Sequence, residues 1–536
     1  MKNYFKEFIS INNKLIDNSK KRESFIFVDR SRNLASIVSS LIAAPLSNKL
    51  KLNPILLTDK SNNNIIKVYK SFGFKLFFIG FRYKLIFLKL NIFFKSIFFL
   101  IKSLFNIKIK GFKWFIINFK VENVHIGDLI YDTYIKKNFY FIKPHINFYF
   151  INLLFISIYR TYNITKLINE NIIKFVLINT ESYCYNDGIV SRVALKKGIK
   201  VYSVHGHAHA TFTFLDQFTN EKIKKGFLNL SVHGINSDFF INKIKIDKNK
   251  LNRYLSVRLT GKLDTRYSGS RCLTKANKIK GKITKNELLN LLNIKNVNIE
   301  KIVLFAPHAF ADAPHIFGTS YIFRDYFEQF EQTLKFIAKK SFKNTLWLVR
   351  PHPSSDMYNE QSIVSEQLKK YESVKNIKLC DSDLISTKNL IEICDNVVTG
   401  RGTIGLEFAC NGKYPVTAGA STYSGLDLSI ECNSKLKYFK TLREIHKIKK
   451  LNKKQTLVAR KTLYYLDNMY PKYLNKKMSS LILSGQKSKI IDKEIFKINE
   501  KDQKKIFNKR LIDNLKKYKF EKDKIYKHFF DNAEKL

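Results

Sequence analysis

The chain has 536 residues, enough for two cores of ordinary size with helical additions. Lysine and arginine number 95 against 44 aspartates and glutamates, a formal net charge of +51 that favours polyanionic partners: phosphorylated substrates, an anionic membrane face or nucleic acid. Six cysteines without a C-x-x-C pair argue against a disulfide-framed secreted domain and fit a reducing cytoplasm; the N-terminal residues show no apolar core before a small-residue cleavage site, so no signal peptide is predicted. Lys, Ile, Asn and Phe are all abundant, as in proteins of AT-rich genomes, and charge alone therefore does not decide the function.

In chain order, residues 24–29 (SFIFVD) form a short apolar strand, 33–44 carry Leu34, Ile37, Val38 and Leu41 at helical spacing, and 55–58 form a second strand. This is a βαβ start with Asp29, Arg30 and Arg32 at the first strand's carboxyl end, where a solvated loop is the simpler explanation. Residues 72–119 are rich in Phe, Leu and Ile, but Lys84, Lys89, Lys95, Lys102, Lys108 and Lys110 interrupt them, which excludes a spanning helix. Lys84, Lys95 and Lys102 fall on one helical stripe, and a basic stripe opposite the apolar residues suits a helix lying in the interface of an anionic leaflet. Core helices with snorkelling lysines are the alternative. Residues 121–137 and 139–163 read as a connecting turn and helices.

From residue 173 the βα rhythm returns. A strand at 175–179 ends in Thr180-Glu181, Asn186-Asp187-Gly188 precedes a helix, and a strand at 200–204 runs into His205-Gly206-His207-Ala208-His209. Two strand ends thus deliver Glu181, Asp187 and His205 toward one edge. The three histidines at period two raise a metal site, but no carboxylate or cysteine ligand stands at familiar spacing, so no metal is assigned. Asp187 also suits a helix-start position for dipole reasons alone.

Residues 254–300 are polar, with a short helix at 286–292. A new sheet then begins with a strand at 301–305 closing on Ala306-Pro307-His308, a helix at 326–340, and a strand at 345–349 ending in Arg350-Pro351-His352-Pro353. Two prolines beside a histidine cannot continue a ladder, so His352 sits at a strand's carboxyl end, where open α/β sheets bind ligands. A strand at 396–399 turns through Gly400-Arg401-Gly402-Thr403 into a helix at 404–411, with Thr403 as expected N-cap. Helices at 435–449 and 453–469 follow, and a Lys-rich tail, solvated or membrane-proximal, starts at 486.

The chemistry of that turn is anion binding: free N–H groups at a helix start, glycines that let a phosphate approach, and the positive end of the dipole. Arg350, Arg401 and His352 add donors. Residues 400–405 also match G-x-G-x-x-G, but the following strand closes on Gly419-Ala420-Ser421-Thr422 without the acid that would hold the ribose of NAD. Glycines serving tight packing alone are the remaining alternative. Glu407, one turn on, reaches toward ribose hydroxyls or stabilises the helix.

RPHPSS, VVTGRGTIGLEFACNGKYPV with AGASTYSG, and NDG followed by VHG together resemble the bacterial capsule and surface polysaccharide synthesis family of GT-B glycosyltransferases, which includes Kdo transferases. The His-Pro and acidic-Gly motifs are also similar to those of bacterial sialyltransferases, and the likeness covers roughly residues 170–470. The resemblance implies an α/β fold of two Rossmann-like domains facing across a cleft. The acceptor-side domain would span 1–255 with a basic aromatic insertion near 72–165, a linker 256–300, the nucleotide-sugar domain 301–485 and the tail 486–536. It implies His352 on the donor phosphate, Thr403 and the Gly402 backbone at the helix start, and Asp187 as general base; the first acid of the acidic-Gly motif is Asn186 here. His205 and His308 are second-rank candidates for base or phosphate contact.

The expectation is therefore an inverting glycosyltransferase of capsule or surface polysaccharide synthesis, using Kdo or another CMP-activated sugar and a glycan or lipid-linked acceptor. No metal or cofactor beyond the nucleotide-sugar is required, because protein cations and a helix dipole stabilise the leaving phosphate. The expected location is cytoplasmic, with the inner face of the membrane as a candidate peripheral partner. A CDP-polyol phosphotransferase of the teichoic-acid type is the alternative enzyme. A non-catalytic basic protein binding membrane or nucleic acid is the alternative class; no nucleic-acid module is visible.

Overall fold

The computed structural model describes residues 23–28, 47, 50–58, 69–70, 73–78, 90–178, 187–205, 211–215, 236–259, 281–294, 298–315, 320–339, 342, 344–381 and 385–466. Within them, two six-stranded sheets organise the chain.

The first sheet begins with β1 (Ser24–Val28), β2 (Asn53–Thr58) and β3 (Lys75–Phe78). A helical excursion follows: α1 (Leu90–Asn118), a hairpin of β4 (Lys120–Val121) and β5 (Val124–His125), α2 (Gly127–Ile135) and α3 (Phe148–Glu170). The chain returns through β6 (Ile173–Ile178), α4 (Asp187–Lys196), β7 (Lys200–His205) and β8 (Thr211–Leu215). Strand order is β3-β2-β1-β6-β7-β8, parallel through β7, with β8 antiparallel to β7. The apolar runs SFIFV and NPILLT are almost wholly buried, as strands covered on both faces require.

Residues 72–119 are thus not helical throughout: β3 comes first, and the helix starts at Leu90. Lys84 lies outside the described residues. Gly111, at φ 75 and ψ 172, breaks α1, a conformation that favours glycine. Ser96, Ser103 and Ile107 face inward, and Phe93 meets Phe155 of α3 edge-on at 6.0 Å. The buried carboxylate Asp128 then locks α2 to α4. Arg192 grips both its oxygens at 2.7 Å and also donates to the carbonyl of His125. Burial alone would push the Asp128 carboxyl up, but the Arg192 charge prevails and holds it below the ordinary range.

The second half contains α5 (Lys248–Leu259), α6 (Lys285–Leu291), β9 (Lys301–Ala306), α7 (Tyr326–Lys339), β10 (Thr345–Val349), α8 (Gln361–Lys369) and β11 (Ile377–Leu379). It closes with α9 (Thr387–Ile393), β12 (Asn396–Thr399), α10 (Thr403–Ala409), β13 (Val416–Thr417), β14 (Ile430–Glu431), α11 (Lys435–Arg443) and α12 (Lys453–Tyr464). The order β11-β10-β9-β12-β13-β14 is parallel throughout, which is the 3-2-1-4-5-6 winding of a Rossmann sheet. The expected fold class, α/β with two Rossmann-like halves in the GT-B manner, is the one observed.

Two boundaries differ from a reading by composition. Phe240, Ile244, Tyr254 and Leu255 pack with Leu406, Ala409, Val458 and Leu463, so the segment before residue 255 joins the second half's core. Helix α6, inside the polar stretch, is fixed by a Thr284–Glu287 capping box and buries Leu288 against Leu304 and Leu346. The halves also meet directly. Tyr131 donates to Asp325, Asp132 takes His315 Nδ1 at 2.5 Å and the His315 amide at 3.0 Å, and Lys113 Nζ donates to the carbonyls of Tyr321 and Phe323 at 3.1 and 2.7 Å. Phe141 packs on Phe310 and Phe327.

Candidate functional site

The strand order of the second sheet decides where a ligand belongs. Its winding reverses between β9 and β12, and the crevice beyond the carboxyl ends of such strands is where open α/β sheets bind. Three chain segments leave the sheet there: Pro307-His308 from β9, Arg350 to Pro353 from β10, and Gly400 to Gly402 from β12. β10 and β12 are not neighbours, since β9 lies between them, which makes His308 central.

The His308 ring is sandwiched. It stacks on Tyr326 at 4.4 Å and on His352 at 4.7 Å, nearly parallel to both. The Ser354 amide donates to His352 Nδ1 at 3.1 Å, so the neutral ring carries its proton on Nε2. Burial and the neighbouring His308 hold His352 far below the ordinary histidine range, at about 3. His308 is lowered too, by burial first and by Arg401, with Asp312 opposing. Asp312 Oδ2 stands 3.8 Å from His308 Nδ1, beyond hydrogen-bond reach. Both rings are therefore neutral donors or acceptors near pH 7, not cations.

The cation of the cluster is Arg401. Its guanidinium carbon lies 4.8 Å from the centre of the Tyr321 ring, and its charge acts on His308, Tyr321 and Tyr326. Gly400 permits this arrangement: a Cβ there would stand 3.0 Å from the Tyr321 hydroxyl and 3.1 Å from Tyr326 and Gln329. Gly402, rather than Thr403, is the N-cap of α10; Thr403 is the first helical residue and is exposed. A glycine cap carries no side-chain acceptor, so the first-turn amides of Thr403 and Ile404 keep no intrahelical partner. Gly405 is required for packing, because a Cβ there would collide with the Tyr423 hydroxyl, which donates to the Gly402 carbonyl at 3.2 Å.

Other expected residues lie elsewhere. Arg350 is buried and turns to the Ile385 carbonyl at 2.8 Å and to the Cys380 thiol, at the β10–β11 side of the sheet. Glu407 pairs with Arg258 of α5 at 3.0 Å, a tertiary tie. Asp187 heads α4, the helix after β6, and His205 closes β7, the neighbour of β6 in the first sheet; their side chains, and His207 and His209 entirely, lie outside the described residues. Among the described residues no group of three His, Cys, Asp or Glu side chains gathers as a metal site.

Sequence reasoning did not find Glu360. It accepts from the amides of Phe310 and Ala311 at 2.8 and 2.6 Å, anchoring the loop that carries His308, and burial pushes its carboxyl up to about 7 despite those bonds. Tyr321 and Tyr326 were likewise missed. An aromatic pair bracketing a helix start gives no sign, in one sequence, that it will floor a site whose other members lie on three separate strand ends.

The sequence model of the capsule polysaccharide biosynthesis family matches residues 207–470, which include every residue of this cluster. Residues 207–470 thus resemble that family. The match covers the part of the chain that carries RPHPSS and VVTGRGTIGLEFACNGKYPV with AGASTYSG, while NDG and VHG lie just before it; it agrees with the resemblance to capsule polysaccharide synthesis glycosyltransferases that those motifs carry. No curated protein matches the chain. Among solved structures it is similar to two KpsC enzymes of Thermosulfurimonas dismutans. The beta Kdo 2,4 transferase is 12% identical with a TM-score of 0.30, covering 54% of this chain and 79% of that one. For the beta Kdo 2,7 transferase the identity is 14% and the TM-score 0.28, over 56% and 79%. A glycosyltransferase from Rickettsia africae ESF-5 is 12% identical, with a TM-score of 0.24 over 87% of this chain and all of that one. These likenesses are faint, and the fold assignment rests on the strand order itself.

Proposed function

We propose that this protein is an inverting glycosyltransferase that moves a sugar from a nucleotide-sugar, with a CMP-activated sugar such as Kdo as the donor, to a glycan or lipid-linked glycan acceptor. The observation that carries the proposal is the Tyr326–His308–His352 stack with Arg401 at the reversal point of a Rossmann sheet, inside the family-matched region.

In this reaction the acceptor hydroxyl oxygen attacks the anomeric carbon from the face opposite the phosphate. The bond from that carbon to the phosphate oxygen breaks, and the phosphate departs with the electron pair. Arg401, the Nε2–H of His352 and the first-turn amides of α10 supply positive charge and donors for it, where preorganised groups outperform water. Asp187 takes the hydroxyl proton. Its place at the head of α4, after a strand of the other sheet, supports that role.

Product analysis tests this. Incubation with CMP-, UDP- and CDP-linked donors should release CMP and yield a glycoside of inverted anomeric configuration. Asp187→Asn should cut turnover by about 10²- to 10⁴-fold while donor binding persists. A phosphodiester product from a CDP-polyol, or unchanged turnover in Asp187→Asn, would overturn the transfer step or the base, respectively.

A further inference from the structure

Helix α1 presents an apolar face that the fold leaves uncovered. Phe94, Phe98, Ile101, Phe105 and Ile109 are each 62–72% exposed. Their spacing of four, three, four and four residues gathers them within an arc of about 80° and over a length of about 22 Å. The opposite side of the helix is occupied by Ser96, Ser103 and Ile107 in the core. Five large apolar side chains in one exposed row is more than isolated surface hydrophobics account for.

We propose that this row is a docking face for the surface of an anionic lipid bilayer, with α1 lying in the plane of the headgroups. Charge selects the occupant. The helix contains no Asp or Glu, and exposed lysines flank the apolar row on both sides: Lys102 follows one margin and Lys108 the other, while Lys95, on the first margin, pairs with Glu122 at 2.8 Å. Lys102 and Lys108, one on each margin, carry their ammonium groups up to lipid phosphates while their stems cover apolar surface. A second copy of this chain fits poorly, since a paired helix would set like charges against each other along both margins and place Lys108 in the heptad seam. Crossing is excluded for α1 by its lysines: no described helix is long and apolar enough to span a membrane. The contact would also be close to the site, because past the Gly111 break the same helix delivers Lys113 to the carbonyl of Tyr321, whose ring lies under Arg401.

Flotation of the full chain tests the proposal, using vesicles of phosphatidylcholine mixed with phosphatidylglycerol against phosphatidylcholine alone. Wild type should float with the anionic vesicles only, and less at high salt. A Phe98→Ser/Phe105→Ser variant should lose at least about tenfold in vesicle affinity. A Lys102→Gln/Lys108→Gln variant should lose affinity for anionic vesicles as well, and both variants should melt with wild type because the positions are exposed. Absence of flotation, equal flotation of either variant, or a wild-type dimer that the Phe98→Ser/Phe105→Ser variant abolishes would each overturn it.

Discussion

The two sheets share one strand order and differ in the direction of the last strand and in what their connections carry. In the second sheet every strand is parallel and each long connection returns at once, so three loops converge on one edge and build a compact cluster of His308, His352 and Arg401. The first sheet ends in an antiparallel strand and spends its longest connection on α1 to α3, which supply the contacts to the other half and one uncovered face. One winding thus carries two different arrangements: a compact cluster at one sheet edge in one half, and contact surfaces in the other.

That contrast is easiest to break where each half is held by a single device. The largest stability effect belongs to the first half. Asp128→Ala leaves the Arg192 guanidinium buried without its carboxylate and should cost about 3–5 kcal/mol in denaturant unfolding. In the second half the device is packing around a glycine turn. Gly405→Ala should cost about 1–3 kcal/mol, and Tyr423→Phe in the same chain should restore part of it by removing the hydroxyl that the new methyl meets. A single cooperative loss from both variants would show that the halves unfold as one unit; two separate transitions would sharpen the distinction.

A smaller effect reports on the stack itself. His352 has a folded pKa of about 3, lowered from 6.5 by burial and by His308. Below pH 6.5 the unfolded chain takes up a proton that the folded ring refuses, so this contribution is complete above 6.5 and is lost as pH falls toward about 3. His308 is lowered as well and slopes the same way. Urea midpoints at about pH 7.5 and about pH 5 should differ more in wild type than in His352→Asn. Glu360, raised to about 7 from 4.5, slopes oppositely across that interval, but it is common to both proteins and cancels in the comparison.

Much of the fold was legible because it is written locally. The apolar runs at β9, β10 and β12 give way within two residues to Pro or Gly, and a proline ring ends a ladder whatever surrounds it. His308, His352 and Arg401 could be placed on one edge for the same reason. What escaped depends on partners distant in sequence. Glu407 sits where a ribose contact would, yet Arg258, far earlier in the chain, claims it. Arg350 adjoins the His-Pro motif but is drawn to Ile385 and Cys380. Glu360 binds two amides some fifty residues upstream, and the antiparallel β8 depends on which edge of β7 remains open. On α1 the sequence pattern was sound for a basic amphipathic helix, but only packing against α3 shows which apolar residues are spent on the core and which stay outside.

The central claim is that a nucleotide phosphate binds at the edge formed by β9, β10 and β12. The most direct measurement is calorimetric titration of CMP, with UDP and GDP alongside, into wild type, His352→Ala and Arg401→Ala. The account predicts CMP binding that weakens by about tenfold to a hundredfold in each variant, since each removes one donor to a charged group. CMP binding of equal strength in all three proteins, or no binding of any nucleotide to wild type, would contradict it.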